Sequence, residues 1–173
     1  MAAALPVGYS SEAELLDVYL VRRVSAADLT ERLSPQLPDG LRIISVQEVP
    51  LASPSLQSLV RMAEYRAYLA PHTPPAAVQR RVEELLATES LPWQRIHKDK
   101  KRSYDLRPLI DDIWIEDRPN EALAICMRLL LGSKGTGRPD DVLRALDYAD
   151  DVQSVRRTSL IIEQPASRKD THD

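Results

Sequence analysis

The chain has 173 residues, of which 43% are hydrophobic and 28% charged, and its formal net charge is -3. This composition is typical of a globular protein with one ordinary domain or two small ones, and no hydrophobic run approaches the roughly 20 residues that cross a bilayer. The acidic balance excludes a chain that is coated all over with nucleic acid, while a local basic patch stays open.

The cysteine and histidine content excludes several kinds of site. Cys126 is the one cysteine, so the chain has no disulfide, no multi-cysteine metal site and no iron–sulfur cluster of its own. His72, His97 and His172 are far apart and lack the spacing of metal ligands. The N-terminus also lacks the features of a signal peptide. We therefore expect a cytoplasmic protein without a membrane segment and without its own metal or cofactor.

The N-terminal part predicts a strand, a helix and a second strand. Residues 14–22 form a β-prone run, and Ser25 after it is typical of a helix N-cap. The apolar face of that helix reaches Leu37, and Pro35 and Pro38-Asp39-Gly40 stop the helix and turn the chain. Residues 41–49 predict the second strand. This order is half of a ferredoxin-like unit, which we assign to residues 1–50 as the C-terminal half of a first unit.

The remainder of the chain predicts the same kind of unit in complete form. In chain order, the predicted elements are a strand over 59–69, a helix over 75–88, strands over 91–96 and 103–106, a hairpin of 113–116 and 122–131, a helix from 138, and a strand over 155–162. This order is a ferredoxin-like unit with an inserted hairpin, assigned to residues 55–163. Residues 164–173 are polar and predict a disordered tail.

The predicted fold class is therefore α+β, with two tandem ferredoxin-like βαββαβ units that have antiparallel sheets, the first one truncated. A truncated unit leaves a sheet edge or an apolar face uncovered. We therefore expect self-association through this N-terminal edge, or strong binding of a hydrophobic dye.

A basic run leads into a predicted strand end at residues 98–110. The cations that could follow a phosphate backbone are Arg95, Lys98, Lys100, Lys101 and Arg102. The ordinary alternative is a hairpin tip whose charges only keep the turn in water. His97, beside this run, is the one residue that could act as an acid or base on RNA, and it has no visible partner.

Asp105 and Arg107 alternate along the predicted strand and so share one face. They could pair with each other or with Arg138 or Arg157 in a structural network, or Arg107 could clamp a phosphate or carboxylate. The candidate RNA- or anion-binding residues are therefore Lys98, Lys100, Lys101, Arg102, Arg107, Arg138 and Arg157. The residues assigned to motif structure are Asp105, Pro108, Gly137 and Pro139.

Gly135-Thr136-Gly137-Arg138-Pro139 is predicted to be a flexible loop before a helix start, where free N–H groups favour anions. It lacks the Gly-Lys-Ser/Thr ending of a P-loop. Asp140 and Asp141 already supply negative charge there, which favours ordinary capping. No stretch has the pattern of a nucleophile elbow, so no catalytic residue is assigned. Cys126 is predicted to be a small buried residue.

Several short stretches resemble a bacterial family of radical-SAM-linked proteins of unknown function. They are Leu5-Pro6-Val7-Gly8 and residues 11–14, 54–60, 64–65, 105–110, 137–140 and 157–158. The resemblance implies a domain that follows, or is encoded beside, a cobalamin-binding radical SAM protein and in some genomes accompanies a ribonuclease of the E/G type. It also implies that the iron–sulfur cluster, S-adenosylmethionine and cobalamin belong to that partner.

Members of the family begin with a strand, a helix and a loop with histidine and proline before the Leu-Pro-Val-Gly segment. Those elements do not precede it here, so we expect a truncated or split version, or a missing half from another polypeptide.

Together these observations predict a non-catalytic accessory module that positions a radical SAM protein or an RNA, such as tRNA or rRNA. The alternatives are a protein–protein scaffold without an RNA role and, by analogy of fold with CRISPR repeat-processing endoribonucleases, an RNA-processing enzyme.

Overall fold

The computed structural model describes residues 2–97, 100–132 and 135–163. Within them the strands are β1 (Ser10–Ser11), β2 (Val60–Leu69), β3 (Pro92–His97), β4 (Lys100–Asp105), β5 (Ile110–Glu116), β6 (Ala124–Gly132), β7 (Gly135–Thr136) and β8 (Val152–Ile162). The helices are α1 (Ala26–Leu33), α2 (Leu56–Leu59), α3 (Pro75–Leu86) and α4 (Pro139–Ala145). The predicted α+β class is confirmed.

The main sheet has the strand order β1-β8-β2-β6-β5, and β7 pairs with β6. The pairs β8–β2, β2–β6 and β6–β5 are antiparallel, whereas β1 is parallel to β8. The chain order β2, α3, β5, β6, α4, β8 is that of a split βαβ unit, with β3 and β4 inserted as a separate hairpin. The element order predicted for residues 55–163 is confirmed. The tandem arrangement and the division into domains stay predictions.

The core lies between one face of this sheet and the helices α3 and α4. Alternate residues of β2 point into it because side chains alternate along a strand, and Ala63, Tyr65, Ala67 and Leu69 are accordingly buried. The helices supply residues at helical spacing: Val78, Val82, Leu85, Val142, Leu143 and Leu146. The sheet residues on this face therefore have their apolar partners within the chain.

The opposite face of the sheet is open and carries ion pairs. Arg128 Nη2 lies 2.8 Å from a carboxylate oxygen of Glu64, and Arg66 Nη2 lies 3.0 Å from Glu116. The Arg128 guanidinium also lies 5.9 Å from the centre of the Trp114 ring. The charges on this face are thus largely compensated by their neighbours.

The N-terminal part differs from its predicted structure. The helix forms and begins as expected, with the Ser25 Oγ accepting the Asp28 N–H at 3.1 Å. It ends at Leu33, and Pro35, one of the residues expected to stop it, lies in a following 3-10 turn. The strands predicted over 14–22 and 41–49 are wrong, since neither segment forms a ladder. Strand propensity alone makes no strand without a neighbour to pair with. The tail prediction for 164–173 lies outside the described residues.

Candidate binding surfaces

The β3–β4 hairpin projects basic and aromatic side chains from one face. Its register places Trp93 opposite Tyr104 and Arg95 opposite Arg102. Because residues two apart in a strand share a face, all four side chains lie on the same side of the hairpin. Trp93, Arg95 and Tyr104 are half-buried, whereas Arg102 is exposed. The hairpin therefore combines a packed aromatic end with a cationic end.

A buried carboxylate fastens this hairpin to α4. The Tyr104 hydroxyl donates to Asp141 Oδ2 at 2.7 Å, and Arg95 Nη1 lies 3.7 Å from the same oxygen. Asp141 is only 2% exposed. Burial, and then the hydrogen bond to Asp141, raise the pKa of Tyr104 to about 12. Asp141 thus holds the hairpin in place, a role that the local sequence does not indicate, and the N-cap residue of α4, Arg138, makes no side-chain capping hydrogen bond.

Positive charge is concentrated in this hairpin. Residues 92–104 contain five basic residues and one acidic residue, a net charge of +4 in a chain of net charge -3. Lys101 is exposed. Lys98 lies outside the described residues, and of His97 and Lys100 only the backbone is described. The predicted basic turn therefore belongs to a strand pair whose net charge is positive, whereas the net charge of the remaining residues is negative.

An open groove of about 640 Å³ runs along the hairpin. Its lining residues are Ser90, Pro92, Trp93, Gln94, Ser103, Tyr104 and Asp105. The Asp105 carboxylate is already engaged, because Oδ1 accepts the N–H groups of Leu91 at 2.7 Å and Arg107 at 3.0 Å. The Leu91 N–H, followed by the Ser90 side chain, lowers the pKa of Asp105. The groove thus offers one aromatic wall and several neutral polar groups.

Arg107 has a structural position. The prediction that it shares a strand face with Asp105 is wrong, because β4 ends at Asp105 and Arg107 opens a 3-10 turn that contains Pro108. Arg107 donates to the carbonyl oxygens of Ile110 at 2.9 Å and Leu86 at 3.2 Å. It therefore joins the end of α3 to the start of β5. Its binding of an anion stays a prediction.

Arg157 is buried and ties the N-terminal residues to β8. It is 1% exposed, and its Nη1 lies 2.9 Å from Glu14. It also donates to the carbonyl oxygens of Ala3 at 3.2 Å and Ala4 at 2.7 Å. The guanidinium lies 5.5 Å from the centre of the Tyr65 ring. Arg157 thus takes part in a structural network, with partners other than those predicted.

The glycine-containing segment before α4 is packed, not a flexible loop. The Gly137 N–H donates to the Leu130 carbonyl at 2.9 Å, and a Cβ at Gly137 would lie 2.7 Å from the Leu109 carbonyl oxygen. Pro139 is buried at the start of the helix, while Arg138 is exposed. In the described residues, Arg138 forms no ion pair with Asp105. The motif residues Gly137 and Pro139 therefore position α4 against the sheet.

A second surface is the apolar segment that surrounds α1. We call residues 14–51 the docking segment. Ten of the twelve large hydrophobic residues that are exposed in the described part of the chain fall within it. They are Leu16, Val18, Tyr19, Leu20, Val21, Leu33, Leu41, Ile44, Val49 and Leu51. None of the residues of α1 is buried. The docking segment thus leaves its apolar side chains in water.

Two polar contacts restrain the docking segment. Arg23 Nη2 lies 3.0 Å from Glu48 and joins the chain before α1 to the chain after it. Asp17 Oδ2 accepts the Leu56 N–H at 3.0 Å, which connects the segment to α2. The two β-prone flanks of α1 are therefore held near each other although they form no ladder.

The described residues contain no helix that is long and apolar enough to cross a membrane. They also contain no group of three or more histidine, cysteine, aspartate or glutamate residues that could hold a metal ion.

Comparison with known proteins places the chain in a family. No curated protein matches it. One solved structure, titled "Crystal Structure of a Cbf5-Nop10-Gar1 Complex", is similar with a TM-score of 0.40 and 14% identity, over 61% of this chain and 32% of that chain. The chain thus corresponds to about a third of the length of that structure's chain. The profile of a bacterial family matches residues 1–139. The chain belongs to this family, which is described as "Uncharacterized protein conserved in bacteria (DUF2344)".

Proposed function

We propose that this chain is a non-catalytic accessory module that binds a partner protein through the docking segment. The observation that carries the proposal is the concentration of exposed hydrophobic side chains in residues 14–51. A large exposed apolar surface marks an interaction site, since scattered single residues are the rule elsewhere. Each such side chain contributes roughly 1.5–3 kcal/mol when it becomes fully buried.

Strand addition is the mode of binding that these flanks favour. Residues 14–22 and 41–49 are β-prone, and their backbone groups form no ladder in this chain. An extended segment of this kind can pair with the edge of another sheet, where backbone hydrogen bonds supply affinity and alternate side chains supply specificity. Binding of the partner would thus supply the neighbour that the two predicted strands lack.

The partner that we propose is a cobalamin-binding radical SAM protein, because the sequence resembles a radical-SAM-linked family. The iron–sulfur cluster, S-adenosylmethionine and cobalamin would all be held by that partner.

RNA contact is a second candidate function, favoured by the separation of charge in this chain. The hairpin has a net charge of +4, whereas the whole chain has a net charge of -3, so the acidic residues lie mainly outside the hairpin. A cationic strand pair of this kind suits a phosphate backbone, whose binding weakens steeply with salt. The accessory module would then hold an RNA, such as tRNA or rRNA, beside the partner enzyme.

The test is a titration of this chain with the proposed partner, a cobalamin-binding radical SAM protein from the same organism. We expect Val21→Ser with Ile44→Ser to weaken binding by about 10-fold or more, since two buried hydrophobic side chains are lost. The matched control, Val7→Ser with Ile162→Ser, removes two exposed hydrophobic residues outside the docking segment and should leave binding unchanged. Equal affinities for both double variants and the parent chain would rule out docking through residues 14–51.

A further inference from the structure

We infer that the β3–β4 hairpin binds an unpaired nucleotide of single-stranded RNA, with its base stacked on Trp93 and a neighbouring phosphate bound by Arg102 on the same face of the hairpin. This inference rests on the second candidate function, RNA contact, and names the form of RNA and the residues that recognise it.

The arginine pair argues for an anionic ligand. Arg95 and Arg102 are directly opposite each other across the hairpin, an arrangement of like charges that is unfavourable without compensation. Asp141 compensates Arg95 only in part, at 3.7 Å, because the same carboxylate oxygen accepts the Tyr104 hydroxyl. In the described residues no carboxylate lies within ion-pair distance of Arg102. A phosphate beside this pair would remove the repulsion.

The groove argues for a base beside that phosphate. Trp93 lines the groove while it also packs against the core, so its ring is held rigidly with part of its surface open. Base–aromatic stacking on such a ring is the usual way in which proteins bind single strands.

An unpaired nucleotide fits this surface better than a duplex does. A base can lie on Trp93 only if it leaves its own stack, and unpaired bases in loops and ends are already free to do so. The hairpin is six residues long on each strand, which limits its contact to a few nucleotides. Tyr104 is a positioning residue, because its hydroxyl is occupied by Asp141.

Trp93 can report on binding directly. The chain has two tryptophans, so Trp114→Phe leaves Trp93 as the one tryptophan, whose fluorescence can be excited at wavelengths that tyrosine does not absorb. The probes are an oligouridylate of about eight nucleotides, within the usual site size for single strands, and an abasic strand of the same length. We expect the oligouridylate to quench Trp93 and to bind about 5-fold or more tightly than the abasic strand. Trp93→Leu should bring the two affinities together.

A matched pair of variants tests the phosphate contact. Arg102→Gln should weaken oligouridylate binding by about 3-fold or more and reduce the slope of log K against log salt by about 0.7, as expected for one lost phosphate contact on a single strand. Arg80→Gln removes the same charge from the exposed side of α3 and should leave both quantities unchanged.

The outcomes separate this inference from the candidate function on which it rests. Equal affinity for the intact and abasic strands, without quenching of Trp93, would overturn the nucleotide site and leave RNA contact standing. Absence of binding by either strand, or an equal loss in Arg80→Gln, would overturn RNA contact by the hairpin as well.

Discussion

Single polar side chains hold together parts of this chain that are distant in sequence. Asp141 accepts a hydrogen bond from Tyr104, which lies 37 residues away in the sequence, and Arg157 donates one to Glu14, which lies 143 residues away. Both are buried, and a buried charge is tolerated only when it is paired and hydrogen-bonded. The sequence motifs indicate Arg157 and Asp105 as candidate residues of a polar network. Their hydrogen-bond partners could not be predicted, because pairing between residues that are distant in sequence leaves no local pattern.

Cys126 provides a prediction at the residue scale. Burial raises the pKa of its thiol to about 11, so about one molecule in a thousand carries the reactive thiolate at pH 8. We expect an alkylating reagent to label the native protein at pH 8 about 100-fold more slowly than the protein in denaturant. Equal rates in the two states would contradict the buried position.

The raised pKa of Cys126 also makes the free energy of unfolding depend on pH in the alkaline range. The unfolded chain loses the Cys126 proton near its ordinary pKa of about 8.5, whereas the folded chain retains it to about pH 11. The native state therefore binds more protons in this window, and the free energy of unfolding should fall as pH rises through it. Denaturation of Cys126→Ser beside the parent chain isolates the contribution of this thiol.

At the scale of elements, the tight approach between β7 and the turn after β4 explains the glycines before α4. A methyl group at Gly137 would lie 2.7 Å from the Leu109 carbonyl oxygen and 3.0 Å from the Leu129 Cβ. We expect Gly137→Ala to lower the free energy of unfolding by about 1–3 kcal/mol, because backbone and core must shift.

Gly132→Ala is the matched control for this substitution. A Cβ at Gly132 meets no described atom within 4 Å, so the variant should unfold close to the parent chain. Thermal denaturation measures both. Similar melting temperatures for Gly137→Ala and the parent would contradict the close contact between Gly137 and the Leu109 carbonyl.

The elements of residues 55–163 could be predicted from the sequence because their patterns are local. Helical spacing, proline positions and alternation indicate α3, β2 and β8, and each then finds its partners. The local pattern could not show that the two strands predicted around α1 would fail to form. Their side-chain pattern is that of a strand, but a ladder also needs the edge of a neighbouring strand. In the described residues, β1 pairs with that edge of β8 over two residues, Ser10 and Ser11.

At the scale of the whole molecule, the chain presents two different surfaces. The docking segment is apolar and lies before residue 52, whereas the hairpin is cationic and lies after residue 91. Binding through the first should be insensitive to salt, and binding through the second should weaken with salt. Such a pair of surfaces can bring two different ligands together without any catalytic group of its own.

The most direct test is hydrogen exchange of the chain with and without its proposed partner, a cobalamin-binding radical SAM protein from the same organism. In the free chain, amides of residues 14–24 and 41–51 should exchange rapidly because they form no ladder, while those of β2 and β6 are protected. In the complex, the proposed strand addition predicts exchange about 10-fold or more slower in both flanks of α1. A stable complex in which residues 14–51 exchange as fast as in the free chain would contradict the proposed function.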